Sequence, residues 1–194
     1  MIIGVTGPIA SGTDKVGEIL GKHGFKWLSY SDVIREVART RNHPTDRKGL
    51  QDLGDSLRKE YGNGFLSIFL IEQMERLEGK DFVVGNIRNP GEVEVLREKF
   101  GDDFVLLMVD APQELRFKRL LKRGREGDPL TWEEFVRVER RDFGEREREH
   151  GQKHGEVFEM ADHVVGNGGS EKEFRKSVEA LMERIKMTRS MVGC

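Results

Sequence analysis

The chain has 194 residues, with 33 lysines and arginines against 35 aspartates and glutamates and a formal net charge of -2. This length predicts one domain, and the balanced charge argues against a generally basic nucleic-acid-binding protein and against membrane attachment by net charge. The single cysteine, Cys194, excludes an internal disulfide and a cysteine zinc site, and no apolar segment reaches the roughly 18 residues that span a bilayer. We therefore expect a cytoplasmic protein that binds neither nucleic acid nor membrane.

The chain opens with a strand, a glycine loop and a helix. Ile2–Thr6 is a short apolar run, residues 7–12 are glycine-flanked, and apolar residues at helical spacing follow. Residues 25–29 then have the length and composition of a second strand. Because such a βαβ unit has parallel strands and a right-handed crossover, the sequence predicts an α/β fold with helices on both faces of a sheet.

A long helical segment separates the second strand from the third. Residues 31–38 have helical periodicity, residues 42–44 interrupt it at a proline, and further leucine stripes follow. The next apolar runs, at residues 82–84, 104–109 and 163–165, complete a predicted sheet of five parallel strands.

Two capping boxes mark helix starts in the last third of the chain. Thr131 with Glu134 begins a helix that runs into residues 137–149, a highly charged segment that we expect to stand off the core as a mobile flap. Ser170 with Glu173 begins a terminal helix that closes the sheet.

The loop after the first strand, residues 7–12, is called the phosphate loop below. Glycines at both of its ends let backbone N–H groups turn inward and cradle phosphate oxygens at a positive helix terminus. The full signature is G-x-x-x-x-G-K-[ST], in which the lysine reaches the β- and γ-phosphates and the hydroxyl ligates Mg²⁺. The predicted nucleotide-binding residues here are Gly7, Pro8, Ile9, Ala10, Ser11, Gly12, Thr13, Asp14 and Lys15.

The signature lysine is absent, because Thr13 occupies its position and Lys15 follows two residues later. Positions 13 and 15 point about 200° apart around a helix, so Lys15 starts on the wrong side, although its flexible stem can curl back. Thr13 can offer a hydroxyl to Mg²⁺ or phosphate but no positive charge. Loss of one charge-assisted hydrogen bond, worth roughly 1.5 to 3 kcal/mol, weakens nucleotide binding without abolishing it. A tight turn without any ligand is the alternative for this loop.

Several segments resemble parts of known kinases. Residues 29–35, Ser-Tyr-Ser-Asp-Val-Ile-Arg, resemble the Thr-Gly-Asp-Met-Leu-Arg segment of adenylate kinases, and residues 85–88 resemble the Asp-Gly-x-Arg segment after the third strand. Residues 115–125 resemble the start of the lid in the same enzymes. Over nearly its full length the chain resembles P-loop nucleoside and deoxynucleoside monophosphate kinases, relatives of adenylate kinase and dephospho-coenzyme A kinase, with a degenerate Walker A motif.

The resemblance implies a three-layer P-loop kinase fold in a single domain, residues 1–194, with a helical acceptor-binding insert near 31–79 and a lid near 119–155. It also implies ATP and Mg²⁺ as cofactors, with Thr13 as the metal ligand. By the same resemblance, Asn167 lies in the turn that contacts adenine. The expected organisation is a monomer or small homo-oligomer whose partners are small-molecule nucleotides.

The resemblance assigns roles to individual charged residues. Arg35 and Arg88 hold the acceptor phosphate, and Asp32 positions Mg²⁺-bound water or the attacking phosphate. The residues assigned to the transferring phosphoryl group are the lid arginines Arg119, Arg123 and Arg125. Each has a plainer alternative: a solvated arginine on an amphipathic helix for Arg35, a favourable charge at a helix N-terminus for Asp32, and surface ion pairs for the lid arginines.

The expected reaction moves the γ-phosphoryl group of ATP to a (deoxy)nucleoside monophosphate or a related small acceptor, with dephospho-coenzyme A as an alternative. Gly85 stands where the family usually carries an aspartate, and the lysine is missing at position 13. A catalytically impaired nucleotide-binding pseudokinase is therefore the rival interpretation, and an engineered or mutated version of an active parent is a third. His150 and His154 have the spacing of a metal pair, but neighbouring glycines predict a solvated lid segment instead.

Overall fold

The structure is a computed structural model that describes residues 1–125, 127–144 and 150–192, with side chains as far as Arg189. The strands are β1 (Ile2–Thr6), β2 (Lys26–Ser29), β3 (Phe82–Gly85), β4 (Phe104–Asp110) and β5 (His163–Gly166). The helices are α1 (Thr13–Gly21), α2 (Tyr30–Thr40), α3 (Arg47–Tyr61), α4 (Phe65–Arg76), α5 (Pro90–Phe100), α6 (Gln113–Arg123), α7 (Trp132–Phe143), α8 (His154–Glu159) and α9 (Glu171–Val192).

The five strands form one parallel sheet in the order β2-β3-β1-β4-β5. Gly85, the last residue of β3, pairs with Val5 on one side and with Ser29 on the other. The carboxyl ends of β1, β2 and β3 therefore lie side by side, and the segments that follow them begin at the same edge. The predicted five-stranded parallel sheet is confirmed.

Helices cover both faces of the sheet because successive strand residues point to opposite faces. In β4, Leu106 packs with α2, α4 and α5 on one face, whereas Leu107 packs with α1 and α9 on the other. Strands buried on both faces are typical of parallel sheets between helical layers. The structure is therefore the predicted three-layer α/β fold. Within the described ranges, no helix is long and apolar enough to cross a membrane.

A buried ion pair fixes α3 to the start of α5. Arg58, on α3, donates from Nε and Nη2 to Oε1 of Glu92 at 3.2 and 2.8 Å, and both side chains are at most 2% exposed. Oε2 of Glu92 accepts the backbone N–H groups of Arg88 and Asn89 at 2.8 and 3.1 Å, which forms half of a capping box with Asn89. One carboxylate thus joins α3, α5 and the segment that follows β3.

The prediction of a mobile flap is wrong for residues 137–143, which belong to α7. Glu139 and Asp142 of α7 are buried, and both pair with arginines of other helices. The high density of charges suggested a solvated segment. The arginines that pair with Glu139 and Asp142, however, lie in distant parts of the sequence, so no local pattern indicates the burial. Residues 145–149 of the expected flap lie outside the described residues. Both predicted capping boxes, at Thr131 and at Ser170, are confirmed.

The substitution Glu92→Gln tests the role of the buried carboxylate. It removes the charge that faces Arg58, so the free energy of unfolding in urea is expected to fall by about 3 kcal/mol or more. Glu94→Gln, at an exposed position of the same helix, is the matched control and is expected to change it by less than about 0.5 kcal/mol. Equally small losses in both variants would contradict the role given to Glu92.

Candidate functional site

A cleft of about 950 Å³ lies at the carboxyl edge of the sheet and is called the main cleft below. Its walls come from the phosphate loop, the start of α2, the segment after β3, α6 and the turn after β5. This edge is the usual ligand crevice of an open α/β sheet. The predicted site residues that line it are Gly7, Pro8, Ile9, Ala10, Gly12, Thr13, Asp14, Lys15, Asp32, Arg35, Arg88, Arg119, Arg123, Arg125 and Asn167.

The phosphate loop is folded as an anion cradle. Gly12 caps α1 in the left-handed region, with φ of 106°, and no side chain caps the helix. The first N–H groups of a helix have no partner within it, so the N-terminus of α1 presents free donors to the main cleft. A Cβ atom at Gly12 would lie 2.3 Å from Nδ2 of Asn167, so glycine is required there.

Ser11 is the predicted site residue that does not line the main cleft. Its side chain is 1% exposed, and Oγ has no hydrogen-bond partner among the described residues. Its carbonyl oxygen, however, accepts Nδ2 of Asn167 at 2.7 Å and Nη1 of Arg119 at 3.3 Å. Asn167 and Arg119 therefore hold the phosphate loop through its backbone.

Arg119 is held by neutral oxygens. Besides the carbonyl of Ser11, its Nη2 donates to the backbone and side-chain oxygens of Asn167 at 2.8 and 3.3 Å. No carboxylate of the described residues lies within ion-pair distance of it, and burial lowers the pKa of Arg119. Its positive charge beside the phosphate loop therefore has no ion-pair partner within the described ranges.

Lys15 does not return to the phosphate loop. Its Nζ donates to Glu18, one turn further along α1, at 2.8 Å and lies 3.8 Å from Glu171 at the start of α9. The hydrogen bond to Glu18 raises the pKa of Lys15. Thr13 begins α1 and lines the main cleft where the signature has lysine. The loop therefore has a hydroxyl, and no ammonium group, at its end.

Trp27 fills the space beside Gly85. A Cβ atom at Gly85 would lie 2.0 Å from Cη2 of the indole, and one at Gly17 would lie 2.1 Å from Cε3. The indole thus occupies the position of any side chain at residue 85, including the aspartate that the family usually has there. Trp27 also lines the main cleft.

The opposite wall of the main cleft contains Asp32, Arg35 and Arg88. Arg35 donates from Nη1 to Oδ1 of Asp32 at 3.1 Å, and both side chains are more than a third exposed, so the pair is weak. With the amide of Gln152 oriented to satisfy both neighbours, Nη1 of Arg88 donates to its oxygen at 3.1 Å. Burial lowers the pKa of Arg88 to about 10, against the attraction of Asp142.

The lid arginines have different environments. Arg123 makes a two-pronged ion pair with Asp128, from Nε and Nη2, at 2.7 Å for each bond. Arg125 is exposed and lines the main cleft. The surface ion pair that the sequence left open thus exists for Arg123, with Asp128 as the partner. Glu126 lies outside the described residues.

Four further residues take part in the site and were not predicted for it: Arg47, Arg116, Asp142 and His154. Arg116 is buried and donates to the carbonyl oxygens of Ile9 and Ala111 at 3.3 and 2.9 Å and to Glu139, so it connects the phosphate loop to α6 and α7. Arg47 and Asp142 form an ion pair between α3 and α7. None of the three has a local sequence signal, because the ion-pair partner of each is more than 20 residues away in sequence.

His154 contradicts the expected solvated segment. It begins α8, is 3% exposed and lines the main cleft. Burial lowers the pKa of its imidazole to about 3, with Asp142 opposing the shift. In the part of the chain that the structure describes, no three His, Cys, Asp or Glu side chains are placed to hold a metal ion.

Comparisons with known proteins agree with this architecture. The family model of the AAA domain matches residues 3–149. A UPF0200 protein of Pyrococcus abyssi is 34% identical over 188 residues, which are 95% of this chain and 97% of that protein.

Two solved kinases have the same fold. A gluconokinase from Sinorhizobium meliloti has a TM-score of 0.56 at 16% identity, over 99% of this chain and 97% of that one. A dephospho-CoA kinase from Campylobacter jejuni has a TM-score of 0.50 at 19% identity, over 95% of this chain and 96% of that one. The predicted P-loop kinase fold is confirmed.

The contact between Trp27 and Gly85 gives a testable expectation. Gly85→Ala forces the indole to move, so the free energy of unfolding in urea is expected to fall by about 1 to 3 kcal/mol. In a Trp27→Leu background, Gly85→Ala is expected to lower the free energy of unfolding by a smaller amount. The coupling free energy between the two positions is expected to be at least about 1 kcal/mol. Gly166→Ala, where a Cβ meets nothing within 4 Å, is the control. The account fails if Gly85→Ala is tolerated as well as the control.

Proposed function

The chain belongs to the AAA-domain family and to the UPF0200 proteins, and from this membership we propose that it is an ATP-dependent phosphotransferase. The proposed reaction moves the γ-phosphoryl group of ATP to a (deoxy)nucleoside monophosphate or a related small acceptor. One observation carries the proposal: the phosphate loop at the N-terminus of α1, Arg35 and Arg88 all line a single cleft. Phosphoryl transfer needs positioning and charge stabilisation more than covalent chemistry from the protein, and such a cleft can supply both.

The N-terminus of α1, on the proposed donor side of the cleft, fits a nucleoside triphosphate. The uncapped N-terminus of α1 and the left-handed Gly12 leave backbone donors directed at the main cleft. Residues 7–13 would hold the phosphate groups, and the turn at Asn167, bonded to the carbonyl of Ser11, would lie beside the base. ATP supplies the transferred phosphoryl group when it is bound.

The proposed metal is Mg²⁺, which takes most of its ligands from phosphate and water and only one or two from the protein. The hydroxyl of Thr13 is the protein ligand in this proposal. Asp32, on the opposite wall, orients metal-bound water or the attacking group. Its pair with Arg35 is largely exposed, and such pairs are worth about 0 to 1 kcal/mol, so rearrangement on binding costs little.

The proposed acceptor lies against Arg35 and Arg88. Arg119, Arg123 and Arg125 neutralise the charge on the transferring group. Arg119 suits this role best, because its charge has neutral oxygen partners beside the phosphate loop.

The same proposal includes a single domain of residues 1–194, with an acceptor-binding insert near 31–79 and a lid near 119–155. It also includes a cytoplasmic location and a monomer or small homo-oligomer. A hydroxyl acceptor such as dephospho-coenzyme A is the alternative to a monophosphate.

A nucleotide-binding protein without turnover is the second candidate. Thr13 stands in place of the lysine, Lys15 is paired with Glu18, and Trp27 fills the space of a carboxylate at position 85. Loss of one positioned donor to transition-state charge costs about a hundredfold to a thousandfold in rate. Binding tolerates the same loss better, so binding without turnover is chemically consistent with this loop.

A turnover assay with an exchanged loop separates the two candidates. ATP consumption is measured with ribo- and deoxynucleoside monophosphates and with dephospho-coenzyme A, for the protein as it stands and for the double exchange Thr13→Lys, Lys15→Thr. We expect slow turnover with one acceptor, and an increase of about a hundredfold in the exchanged protein because the lysine then reaches the phosphates. Lys22→Thr, at the other end of α1, is the control for loss of a lysine from this helix.

Each result of this assay has a defined meaning. Activity confined to the exchanged protein supports the nucleotide-binding candidate on an intact kinase scaffold. Failure of both proteins with every acceptor would overturn the phosphotransferase proposal.

A further inference from the structure

The buried imidazole of His154 has no hydrogen-bond partner. Neither Nδ1 nor Nε2 has one among the described residues, and the only ring beside it is that of Phe158, 5.6 Å away between centroids. Buried polar groups in folded proteins nearly always have a partner from the protein, from water or from a ligand, so an unpartnered imidazole that lines a cleft is available to a ligand. The proposed phosphate loop lies on another wall and does not use His154.

The charged groups around His154 come from α7, the segment after β3, and α3. They are Asp142, Arg88, Arg47 and Arg58. The carboxylates near them are already engaged: Asp142 pairs with Arg47, and Glu92 and Asp55 pair with Arg58 at 2.8 and 3.7 Å. Among the described residues, these pairs leave Arg88 as the cation near His154 without an ion pair.

Arg88 and His154 are tied together through the backbone. The carbonyl oxygen of Arg88 accepts the N–H of Lys153, the residue before His154, at 2.8 Å. The guanidinium of Arg88 donates to the neutral amide oxygen of Gln152, and no carboxylate of the described residues lies within ion-pair distance of it. A half-buried cation bound to a neutral amide and a buried imidazole without a hydrogen-bond partner therefore both line the main cleft.

We propose that His154 and Arg88 together bind the phosphate dianion of the acceptor, and that His154 takes up a proton as the dianion binds. This inference rests on the proposed function, because it places the acceptor on this wall. The dianion gives Arg88 its counter-charge and gives the protonated imidazole a charge-assisted hydrogen bond. In the free protein, burial and the nearby arginines keep the imidazole neutral, with its pKa at about 3.

The inference narrows the substrate class. A phosphomonoester supplies two negative charges at one end, which match one guanidinium and one imidazolium. An acceptor that presents an uncharged hydroxyl to this wall would bring no negative charge to either side chain. The wall therefore selects a nucleoside monophosphate over an alcohol acceptor.

The sign of the pH dependence follows from the proton uptake. Binding raises the pKa of His154, so affinity is highest at low pH and falls as the pH rises through the pKa of His154 in the complex. Inorganic sulfate is the probe, because it remains a dianion throughout the neutral range and any proton taken up must go to the protein.

The experiment is a calorimetric titration of the whole protein with sodium sulfate, without ATP, in two buffers of different ionisation enthalpy at constant ionic strength. At pH 6 we expect an uptake of about 0.5 to 1 proton per sulfate that declines toward pH 8.5. Nitrogen NMR of the labelled imidazole is expected to show His154 changing to the imidazolium form. Sulfate bound at residues 7–13 gives no such signal, because those residues have no titratable side chain.

The variant His154→Gln keeps an N–H donor but cannot titrate. It is expected to abolish the proton uptake and to weaken sulfate binding about 10-fold. His150→Gln, four residues earlier, is the matched control and is expected to leave the uptake unchanged. If His154→Gln does not fold, the uptake and the NMR of the unmodified protein decide the question alone.

Three results would overturn the inference: no sulfate binding, binding without proton uptake and without a change at His154, or unchanged uptake in His154→Gln. Each would make His154 a core residue. The outcome is separate from that of the turnover assay. Proton uptake without turnover would support this wall as an anion site while the phosphotransferase proposal fails, and turnover without uptake would do the reverse.

Discussion

One buried carboxylate, that of Glu92, connects the parts of this protein that form its cleft. It neutralises Arg58 of α3 with one oxygen and holds the backbone of Arg88 and Asn89 with the other. The position of Arg88 therefore depends on the same group that anchors the helical insert to α5. Because the carboxyl ends of β1, β2 and β3 are in register, this anchor also fixes the distance between Arg88 and the phosphate loop.

The two sides of the main cleft differ in how closely they follow the P-loop kinase pattern. The side with Arg35 and Arg88 keeps both expected arginines and adds the buried His154. The side with the phosphate loop keeps its glycines, but Thr13 replaces the lysine and Trp27 packs against Gly85. Arg119, bonded to the carbonyl of Ser11, places a positive charge beside the phosphate loop.

Much of the fold could be predicted because its signals are local. The strand, glycine loop and helix at residues 2–21 lie in one short segment, and the capping box at Thr131 spans four residues. The role of Gly12 could be predicted for the same reason, because its neighbours in sequence define the phosphate loop.

The part of the main cleft that contains Arg88 and His154 could be predicted only in part. Arg88 follows a recognisable strand, but His154 lies between glycines in a charged segment, and its burial comes from α7 and the segment after β3. A Cβ atom at Gly155 would make an ordinary contact with Phe143 at 3.7 Å, so α8 packs closely against α7 there, and no sequence spacing indicates that packing. Trp27 was missed for a similar reason, since its contacts with Gly17 and Gly85 join three elements.

The most direct test of the nucleotide site is equilibrium binding of Mg²⁺-ATP, followed through the fluorescence of Trp27 in a Trp132→Phe background. The account predicts saturable binding that Gly12→Ala weakens at least about 10-fold, because the new Cβ meets Asn167 at 2.3 Å, whereas Gly21→Ala, with nothing within 4 Å, preserves it. Absence of binding, or equal binding by both variants, would contradict the assignment of the phosphate loop.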